Sequence, residues 1–305
     1  MGRKRGKKPK TEARLLGRLQ EVRSIYDGGL SRAQKLRWRL LHLSPTARVL
    51  LSFAMLILAG TILLEFPFCV RAGSDPLSLV DALFISTSAV CVTGLSTIDI
   101  GYRLSGVGQA VVLLLIQLGG LGILTFSTGI LLSLGERSSL LSRAAVSESL
   151  TIFGASEVRG LLRNIYAVTF LIEFIGAVLL TWRFSSLENF TFAKACWFGV
   201  FHSVSAFCNA GFSTFSRAAG HGGDNLMEFA NDLPVNLVIM TQIVLGGLGF
   251  VVIHDLYLYF KQRGRRVLRL HTKIALSTTV VLIIAGALLF YLFESGHLLA
   301  NEPLY

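Results

Sequence analysis

Charged residues are scarce in this sequence. Only 15% of the 305 residues are Asp, Glu, Lys or Arg, whereas a soluble domain usually carries about 25%. Hydrophobic residues make up 52% of the chain, and the mean hydropathy is +0.62. Long uncharged runs separate a few charged stretches. This pattern excludes an ordinary cytosolic enzyme and predicts an integral membrane protein.

Cysteine is also rare, with four residues and no CxxC pair or His cluster of the kind that binds zinc. We therefore expect Cys69, Cys91, Cys196 and Cys208 to be unpaired small apolar residues. No cleavable signal peptide is predicted, because the polar segment 1–48 is too long for the charged region of one.

The excess of basic residues gives a net charge of +11, and 14 of the 29 Lys and Arg residues precede position 49. No RNA-binding aromatic motif accompanies them, so attraction to anionic membrane lipid explains the charge better than a nucleic-acid partner does. Within this tail, apolar residues from Leu15 to Tyr26 recur at helical spacing among arginines. The tail is either an amphipathic helix lying on the membrane or a disordered basic segment.

Membrane-spanning helices need about 20 apolar residues, and five uncharged runs approach that length. They are 49–66, 104–135, 164–182, 234–253 and 274–293. Two shorter apolar stretches, 82–92 and 195–210, are rich in Ser, Cys, Thr and Gly. Half-length helices at membrane depth need protein or a watery cavity around them, so these two predict re-entrant loops rather than spans.

Orientation follows from the basic residues of the short loops. The tail, the segment 136–163 and the segment 261–273 are basic, whereas the opposite loops hold only Arg71, Arg103, Arg183, Lys194 and Arg217. This asymmetry places the N-terminus and both basic loops in the cytoplasm. The two re-entrant segments then enter the membrane from the outer face.

An internal repeat connects these segments. Eight residues between Phe84 and Thr97 return 117 positions later, between Phe201 and Thr214, and the motif Leu-Gly-Gly-Leu-Gly at 118–122 returns at 245–249. The repeated unit is span, re-entrant loop, span. It occurs twice, and the fifth span begins a third copy.

Such a unit supplies the parts of a cation pathway. A short helix that points its C-terminal end toward the membrane centre favours a cation there, and the extended residues after it can offer backbone carbonyls as ligands. These residues are Cys91, Val92, Thr93 and Gly94 in the first copy and Cys208, Asn209, Ala210 and Gly211 in the second. Gly94 and Gly211 are the last residues of the two segments. Glycine adopts positive φ without steric cost. The structural alternative is that each glycine only terminates a buried helix. Two glycines at matched positions of the repeat favour the ion pathway.

Six further glycines belong to the repeated motif: Gly119, Gly120, Gly122, Gly246, Gly247 and Gly249. Small residues allow close approach of membrane helices, so we expect packing, with a helix bend as the alternative. Glu173 lies within the third span, so it must face protein or water or be protonated, and we do not expect it to be an ion ligand. His202 is expected to be a core histidine with hydrogen-bonded nitrogens, and His254 and Asp255 to lie at the cytoplasmic boundary.

The stretches SAVCVTGLST, LIQLGGLGIL, FHSVSAFCNAGFSTF and LGGLGFVVI resemble the KtrB and TrkH superfamily of potassium uptake proteins. The resemblance extends from Val49 onward and implies four units around one pore, with filter glycines at Gly94 and Gly211. It implies K⁺ as the transported ion, held by backbone carbonyls, with Na⁺ as a candidate coupling ion. It also implies the inner membrane, a homodimer and a cytoplasmic nucleotide-binding subunit of the KtrA or TrkA kind. The basic tail makes KtrB the nearer branch.

One departure from the family is the number of units. The resemblance implies four filter segments, and the 305 residues contain two, so we expect a fragment that does not transport by itself. Two other hypotheses remain: a non-conducting membrane scaffold, and an intramembrane enzyme that uses His254, Asp255 and Glu173. The enzyme hypothesis leaves the repeat unexplained.

The sequence thus predicts an all-α integral membrane protein, not an enzyme, built of tandem span, pore-loop, span units. Its predicted segments are a basic tail (1–48), a first unit (49–135), a cytoplasmic loop (136–163), a second unit (164–260), a basic loop (261–273) and the first span of a third unit (274–305).

Overall fold

The computed structural model describes residues 45–122, 158–187, 190–220, 225–262 and 267–294. The chain divides into two compact units, 1–51 and 52–305. In the described ranges every regular element is a helix, and the β pairing there is limited to an isolated bridge between Val70 and Leu104. The predicted all-helical class is therefore confirmed.

Several predictions fall outside the described residues. These include the amphipathic helix of the basic tail, the distal part of the second span from residue 123, most of the loop 136–163, and residues 263–266 of the second basic loop. The segment 295–305 and the side chain of His254 also lie outside the described part.

The described part contains nine α-helices, which we number in chain order. They are α1 (Pro45–Glu65), α2 (Leu79–Val90), α3 (Ile100–Arg103), α4 (Gly106–Gly120), α5 (Val158–Ser185), α6 (Phe192–Phe207), α7 (Leu233–Gly247), α8 (Phe250–Lys261) and α9 (Leu270–Glu294). Two short 3₁₀ turns, Pro67–Cys69 and Met227–Phe229, lie between them.

Short polar side chains fix where the helices begin. The Ser78 hydroxyl accepts from the Asp81 backbone N–H at the start of α2, and Ser105 accepts from the Gly108 N–H at the start of α4. Asp232 does the same for α7. Each cap satisfies a backbone donor that the helix itself leaves unpaired, which sets the first turn of these apolar helices.

Two helices in the described part are long and apolar enough to cross a membrane, namely residues Ile165–Ser185 of α5 and the whole of α9. Shorter apolar helices are Leu50–Glu65, Leu79–Val90, Gly106–Gly120 and Leu233–Gly247. The predicted count of five spans and the re-entrant paths stay predictions. Helices α1, α2, α4, α6 and α7 overlap the apolar runs of the sequence, whereas α3 lies outside them and α8 extends beyond the run 234–253.

The predicted fourth span, 234–253, is not one continuous helix. Helix α7 ends at Gly247, Gly249 has φ of +81°, and α8 starts at Phe250. A left-handed residue interrupts the helical hydrogen-bond pattern, and glycine adopts it without steric cost. The apolar run therefore contains two helices that meet at Gly249.

Two clusters of buried side chains hold the helices together. The first surrounds α2 and α4, with Ile85, Val112 and Ile116 at its centre, and it also includes Phe201 and Phe212 from the second repeat. The second cluster lies among α5, α6 and α7 and is formed mainly by aromatic residues: Phe184, Phe198, Phe215 and Phe229, with Leu180, Ala195 and Val235. The shared residues of the first cluster bring the two repeats into direct contact.

Candidate functional site

The two predicted filter segments have the same backbone course. Val92 and Asn209 have φ of +56° and +58°, and two residues further on Gly94 and Gly211 have φ of +78° and +73°. Each pair is separated by the 117 positions of the sequence repeat. The repeat in sequence therefore corresponds to a repeat in local conformation.

Backbone hydrogen bonds at the two helix ends also match one for one. In each copy, three successive N–H groups after the helix bond back to carbonyls of its last turn. In the first copy the bonds are Cys91 to Thr87 (2.8 Å), Val92 to Ala89 (3.2 Å) and Thr93 to Ser88 (2.8 Å); in the second they are Cys208 to Val204 (2.9 Å), Asn209 to Ala206 (3.0 Å) and Ala210 to Ser205 (2.8 Å). These bonds pair the carbonyls that a helix end otherwise leaves unsatisfied.

The residues that first adopt left-handed backbone angles in each segment were not predicted from the sequence. The helices end at Val90 and Phe207, and the turn is made by Val92 and Asn209 before either glycine is reached. Asn is one of the few non-glycine residues enriched in this conformation, so Asn209 carried a usable signal. Val92 carried none, because a β-branched side chain at positive φ is an outlier.

The structure brings the two segments together at their glycines. A Cβ built on Gly94 would clash with the Ala210 carbonyl oxygen and lie 3.1 Å from Gly211 Cα. Among the described residues, a Cβ on Gly211 would meet only Gly94 Cα, at 3.7 Å. Gly94 is thus needed for its conformation and for close approach, whereas Gly211 is needed mainly for its conformation.

Side chains of α6 hold the end of the second segment. Ser205 Oγ donates to the Phe212 carbonyl at 2.7 Å. His202 Nδ1 lies 2.8 Å from the Phe198 carbonyl and Nε2 lies 2.8 Å from Ser213 Oγ. Because a carbonyl only accepts, Nδ1 carries a proton, and Nε2 shares a hydrogen bond with the Ser213 hydroxyl. His202 is therefore a buried histidine with both nitrogens hydrogen-bonded, as expected.

The first segment is held differently. Thr97 Oγ1 donates to Asp81 Oδ1 at 2.7 Å, and Ser78 Oγ donates to Oδ2 of the same carboxylate at 2.6 Å. These two hydroxyls lower the pKa of the exposed Asp81 because they stabilise its ionised form. The helix start at Ser78 and the chain after Gly94 are thereby joined.

Four of the motif glycines lie against the filter segments. A Cβ on Gly119 would clash with the Val90 carbonyl oxygen, and one on Gly246 with the Phe207 carbonyl oxygen; both carbonyls belong to the last residue of a short helix. Gly120 approaches Cys208, and Gly247 lies more loosely beside Asn209. These glycines bring their helices close to the two segments, and their packing role stays a prediction.

Gly122 and Gly249 have a different geometry. Both have positive φ, +75° and +81°, two residues after the ends of α4 and α7. Among the described residues, nothing lies within 4 Å of a Cβ built on Gly249. Gly249 lies at the break between α7 and α8, and its packing role stays a prediction.

The polar residues of the enzyme hypothesis have structural contacts. Glu173 is 4% exposed, its Oε1 accepts from Gln117 Nε2 at 3.0 Å, and its backbone carbonyl accepts from Ser203 Oγ at 2.7 Å. Asp255 Oδ2 accepts from the Arg269 N–H and from Thr272 Oγ1, which fastens the start of α9 to α8. These contacts join helices, and they do not bring Glu173 and Asp255 into one catalytic set.

A hydrogen bond between α6 and α4 was not predicted from the sequence. Trp197 Nε1 on α6 donates to Gln109 Oε1 on α4 at 2.7 Å, and Gln109 is buried. Neither residue belongs to the repeat motif, so pattern alone offered no signal for the pair. This hydrogen bond connects α4 of the first repeat to α6 of the second.

An open pocket lies where the chain leaves both glycines. It is lined by Gly94, Ser96, Ile98, Asp99, Ile100, Gly211, Phe212, Ser213, Phe215 and Asn225. Residues of both segments line the pocket, so it lies next to the point at which Gly94 and Gly211 meet. Backbone and small polar groups at such a place can receive a partly hydrated cation.

Comparison with known proteins gives consistent matches over the same range. Residues 46–298 match the family model TrkH, described as cation transport protein. The chain is 36% identical over 257 residues to the potassium/sodium uptake protein NtpJ of Enterococcus hirae, which covers 84% of this chain and 54% of that protein.

Two Ktr proteins give similar values. The identity is 37% over 246 residues (81% of this chain, 51% of the relative) to the Ktr system potassium uptake protein B of Vibrio alginolyticus. It is 34% over 265 residues (87% and 56%) to the protein of the same name from Bacillus subtilis. The chain therefore spans about half the length of the curated relatives it matches. All three relatives have the names of ion uptake proteins.

Proposed function

Because the chain belongs to the TrkH family of cation transport proteins, we propose that it forms half of a potassium uptake pathway, in which its two glycine segments line the ion-selective passage. The observation behind this proposal is the matched pair of segments that meet at Gly94 and Gly211. The relatives from three bacteria are named for potassium or potassium/sodium uptake. Transport, and not an enzymatic reaction, is the function we infer.

The chemistry of the segments supports this proposal. Potassium is coordinated in proteins by oxygen atoms that replace its water shell, and backbone carbonyls serve this purpose in selective pores. The eight residues 91–94 and 208–211 contain no carboxylate, so we assign ion coordination to backbone oxygens. The helix ends at Val90 and Phe207 add partial negative charge close by.

Four such segments are needed to surround an ion, and these 305 residues provide two. We propose that the other two come from further repeats of the kind present here, as the roughly doubled length of the relatives indicates. The exposed apolar surface of α9 fits burial by lipid or by further helices. Val281, Leu282 and Ile284 in that helix are each more than half exposed.

Location and partners are part of the same proposal. The basic segments 1–48, 136–163 and 261–273 favour a cytoplasmic N-terminus in the cell membrane. The relatives named for a Ktr system imply a multi-component assembly. We propose a cytoplasmic nucleotide-binding subunit of the KtrA kind and a second copy of the transport subunit as partners, with Na⁺ as a candidate coupling ion.

The decisive experiment is rubidium uptake in a bacterial host without its own potassium uptake systems. A chimera would join this chain to the part of the Bacillus subtilis relative that follows the matched region, and the nucleotide-binding subunit would be co-expressed. We expect the chimera to restore growth at low potassium and to take up ⁸⁶Rb⁺. The 305 residues alone should do neither.

The control is the same chimera with Gly94→Ser, which should fold but lose preference for K⁺ over Na⁺. If the 305 residues alone transported Rb⁺, two segments would suffice and the four-unit arrangement would be wrong. If a correctly inserted chimera were inactive, or if Gly94→Ser left selectivity unchanged, the assignment of the pathway to these segments would be rejected.

A further inference from the structure

Among the described residues that line the pocket beyond Gly94 and Gly211, Asp99 is the sole ionisable side chain. The others are apolar residues, glycines, two serines and an asparagine. A single carboxylate in an otherwise uncharged pocket determines the sign of the electrostatic potential there. The position of Asp99 is therefore of interest for a protein that handles cations.

Hydrogen bonds from two directions fix the Asp99 carboxylate. Oδ1 accepts from the Tyr102 backbone N–H at 3.0 Å, and Oδ2 accepts from Ser216 Oγ. Asp99 follows the first glycine segment and Ser216 follows the second, at equivalent positions 117 residues apart. The carboxylate thus bridges the two segments just beyond the point at which they meet.

The backbone around this bridge is closely packed. A Cβ on Gly101 would clash with the Thr214 carbonyl oxygen, and Ser216 is fully buried. Asp99 itself is only partly buried, so one side of the carboxylate remains accessible from the pocket. A charge held in a concave, partly desolvated position attracts counter-ions more strongly than one on an open surface.

We propose that Asp99 draws cations into the pocket next to Gly94 and Gly211, and that Ser216 and the Tyr102 N–H hold its carboxylate in place. This inference deepens the proposed function, because it names the group that concentrates the transported ion. The competing explanation gives Asp99 only a structural role, as helix cap and as bridge to Ser216. The proposal requires the negative charge of Asp99, whereas the competing explanation requires only its hydrogen bonds.

The charge can be measured without transport, on the 305-residue chain in membranes. Ser96, which also lines the pocket, is replaced by cysteine in a chain whose four native cysteines are changed to serine. The rates of reaction with a cationic and an anionic methanethiosulfonate reagent are then compared. The ratio of the two rates reports the local potential.

We expect Asp99→Asn to lower this ratio about fivefold at low ionic strength, because one unit charge in the same pocket is lost. Asn retains helix-capping ability. Asp99→Glu should preserve most of the ratio. Ser216→Ala keeps the charge and the bond from the Tyr102 N–H, so it should lower the ratio much less than Asp99→Asn does. At about 1 M salt the difference between Asp and Asn should disappear, because the Debye length falls to about 3 Å.

An unchanged ratio in Asp99→Asn would overturn the proposal, as would an equal loss in Ser216→Ala. In the chimera, Asp99→Asn should also raise the KM for Rb⁺ with little change in maximal rate, an effect that shrinks at high ionic strength. If the chimera did not transport at all, the proposed function would fail while the labelling ratio would still decide the role of Asp99.

Discussion

Val92 and Asn209 occupy the same left-handed position with very different side chains. At positive φ a side chain costs about 1–2 kcal/mol, because Cβ approaches the following carbonyl oxygen. Asn tolerates this conformation, whereas a β-branched valine does not. The first segment therefore contains strain at Val92 that the second avoids. Contacts of Val92 with the first buried cluster offset part of that cost.

Replacement of Asn209 by valine should transfer this strain to the second segment. We expect Asn209→Val to lower the free energy of unfolding by about 1–2 kcal/mol relative to Asn209→Gly. Both variants lose the bond from Asn209 Nδ2 to the Phe207 carbonyl, so their difference isolates the conformational cost. Unfolding in mixed micelles followed by circular dichroism measures it. Equal stability of the two variants would contradict the assigned backbone conformation.

Gly94 and Gly211 should differ in their tolerance of a methyl group. Alanine at either site meets the same conformational penalty, but at Gly94 it also clashes with the Ala210 carbonyl. We expect Gly94→Ala to reduce the K⁺ over Na⁺ preference of the chimera about tenfold, corresponding to about 1.4 kcal/mol. Gly211→Ala should have a clearly smaller effect. Competition of ⁸⁶Rb⁺ uptake by Na⁺ measures both.

Gly106 provides the matched control, because its φ is not left-handed and nothing lies within 4 Å of a Cβ built on it. Gly106→Ala should therefore retain parental selectivity. A larger effect at Gly211 than at Gly94 would show that crowding against Ala210 does not govern this site.

At the scale of helices, α4 is the element that joins the two repeats. It packs on the end of α2 through Gly119, reaches Glu173 on α5 through Gln117, and receives the Trp197 hydrogen bond of α6 at Gln109. Small residues allow α4 to approach closely, and the two glutamines hold its partners by directed bonds. Changes in α4 should therefore affect both filter segments.

The bond between Trp197 and Gln109 can be tested by a double-mutant cycle. Trp197→Phe leaves the buried Gln109 oxygen without this donor, which should cost about 1–3 kcal/mol of unfolding free energy. Gln109→Leu together with Trp197→Phe should recover part of that loss, because the side-chain oxygen that lacked its donor is then absent. Denaturant unfolding of the four proteins gives the coupling. Strictly additive effects would show that the bond contributes no stability.

For the whole molecule, surface chemistry and charge point to the same arrangement. Apolar side chains cover the exposed faces of α5 and α9, with Phe174 at 66% and Phe293 at 74% exposure, while basic residues concentrate in three segments of the sequence. Exposed apolar area of this extent requires lipid or partner helices. From the excess of Lys and Arg we expect the basic segments at the cytoplasmic face.

Single cysteines in a cysteine-free chain should label according to this topology. We expect Asp75→Cys and Met227→Cys to react with an impermeant maleimide on intact cells, because both sites are exposed and belong to loops predicted to face outside. Lys261→Cys and Val267→Cys should react only after permeabilisation. Strong labelling of the latter pair from outside would reverse the orientation.

The sequence alone determined the helical class, the positions of most apolar helices and the internal repeat. Hydrophobic run length is set by the membrane itself, and the identical spacing of eight residues leaves little room for coincidence. The same repeat identified both glycine segments, and the family to which the chain belongs follows from those motifs. The cost of an exposed charge within a span is the reason that Glu173 was expected to face protein or water or to be protonated.

Only the tertiary structure decided how these parts meet. The left-handed turns at Val92 and Asn209, the helix break at Gly249 and the unequal crowding of Gly94 and Gly211 depend on backbone angles and on neighbours distant in sequence. The bonds of Trp197 with Gln109 and of Asp99 with Ser216 join residues 88 and 117 positions apart. No local pattern encodes such pairs, because each exists only after the two repeats have packed against each other.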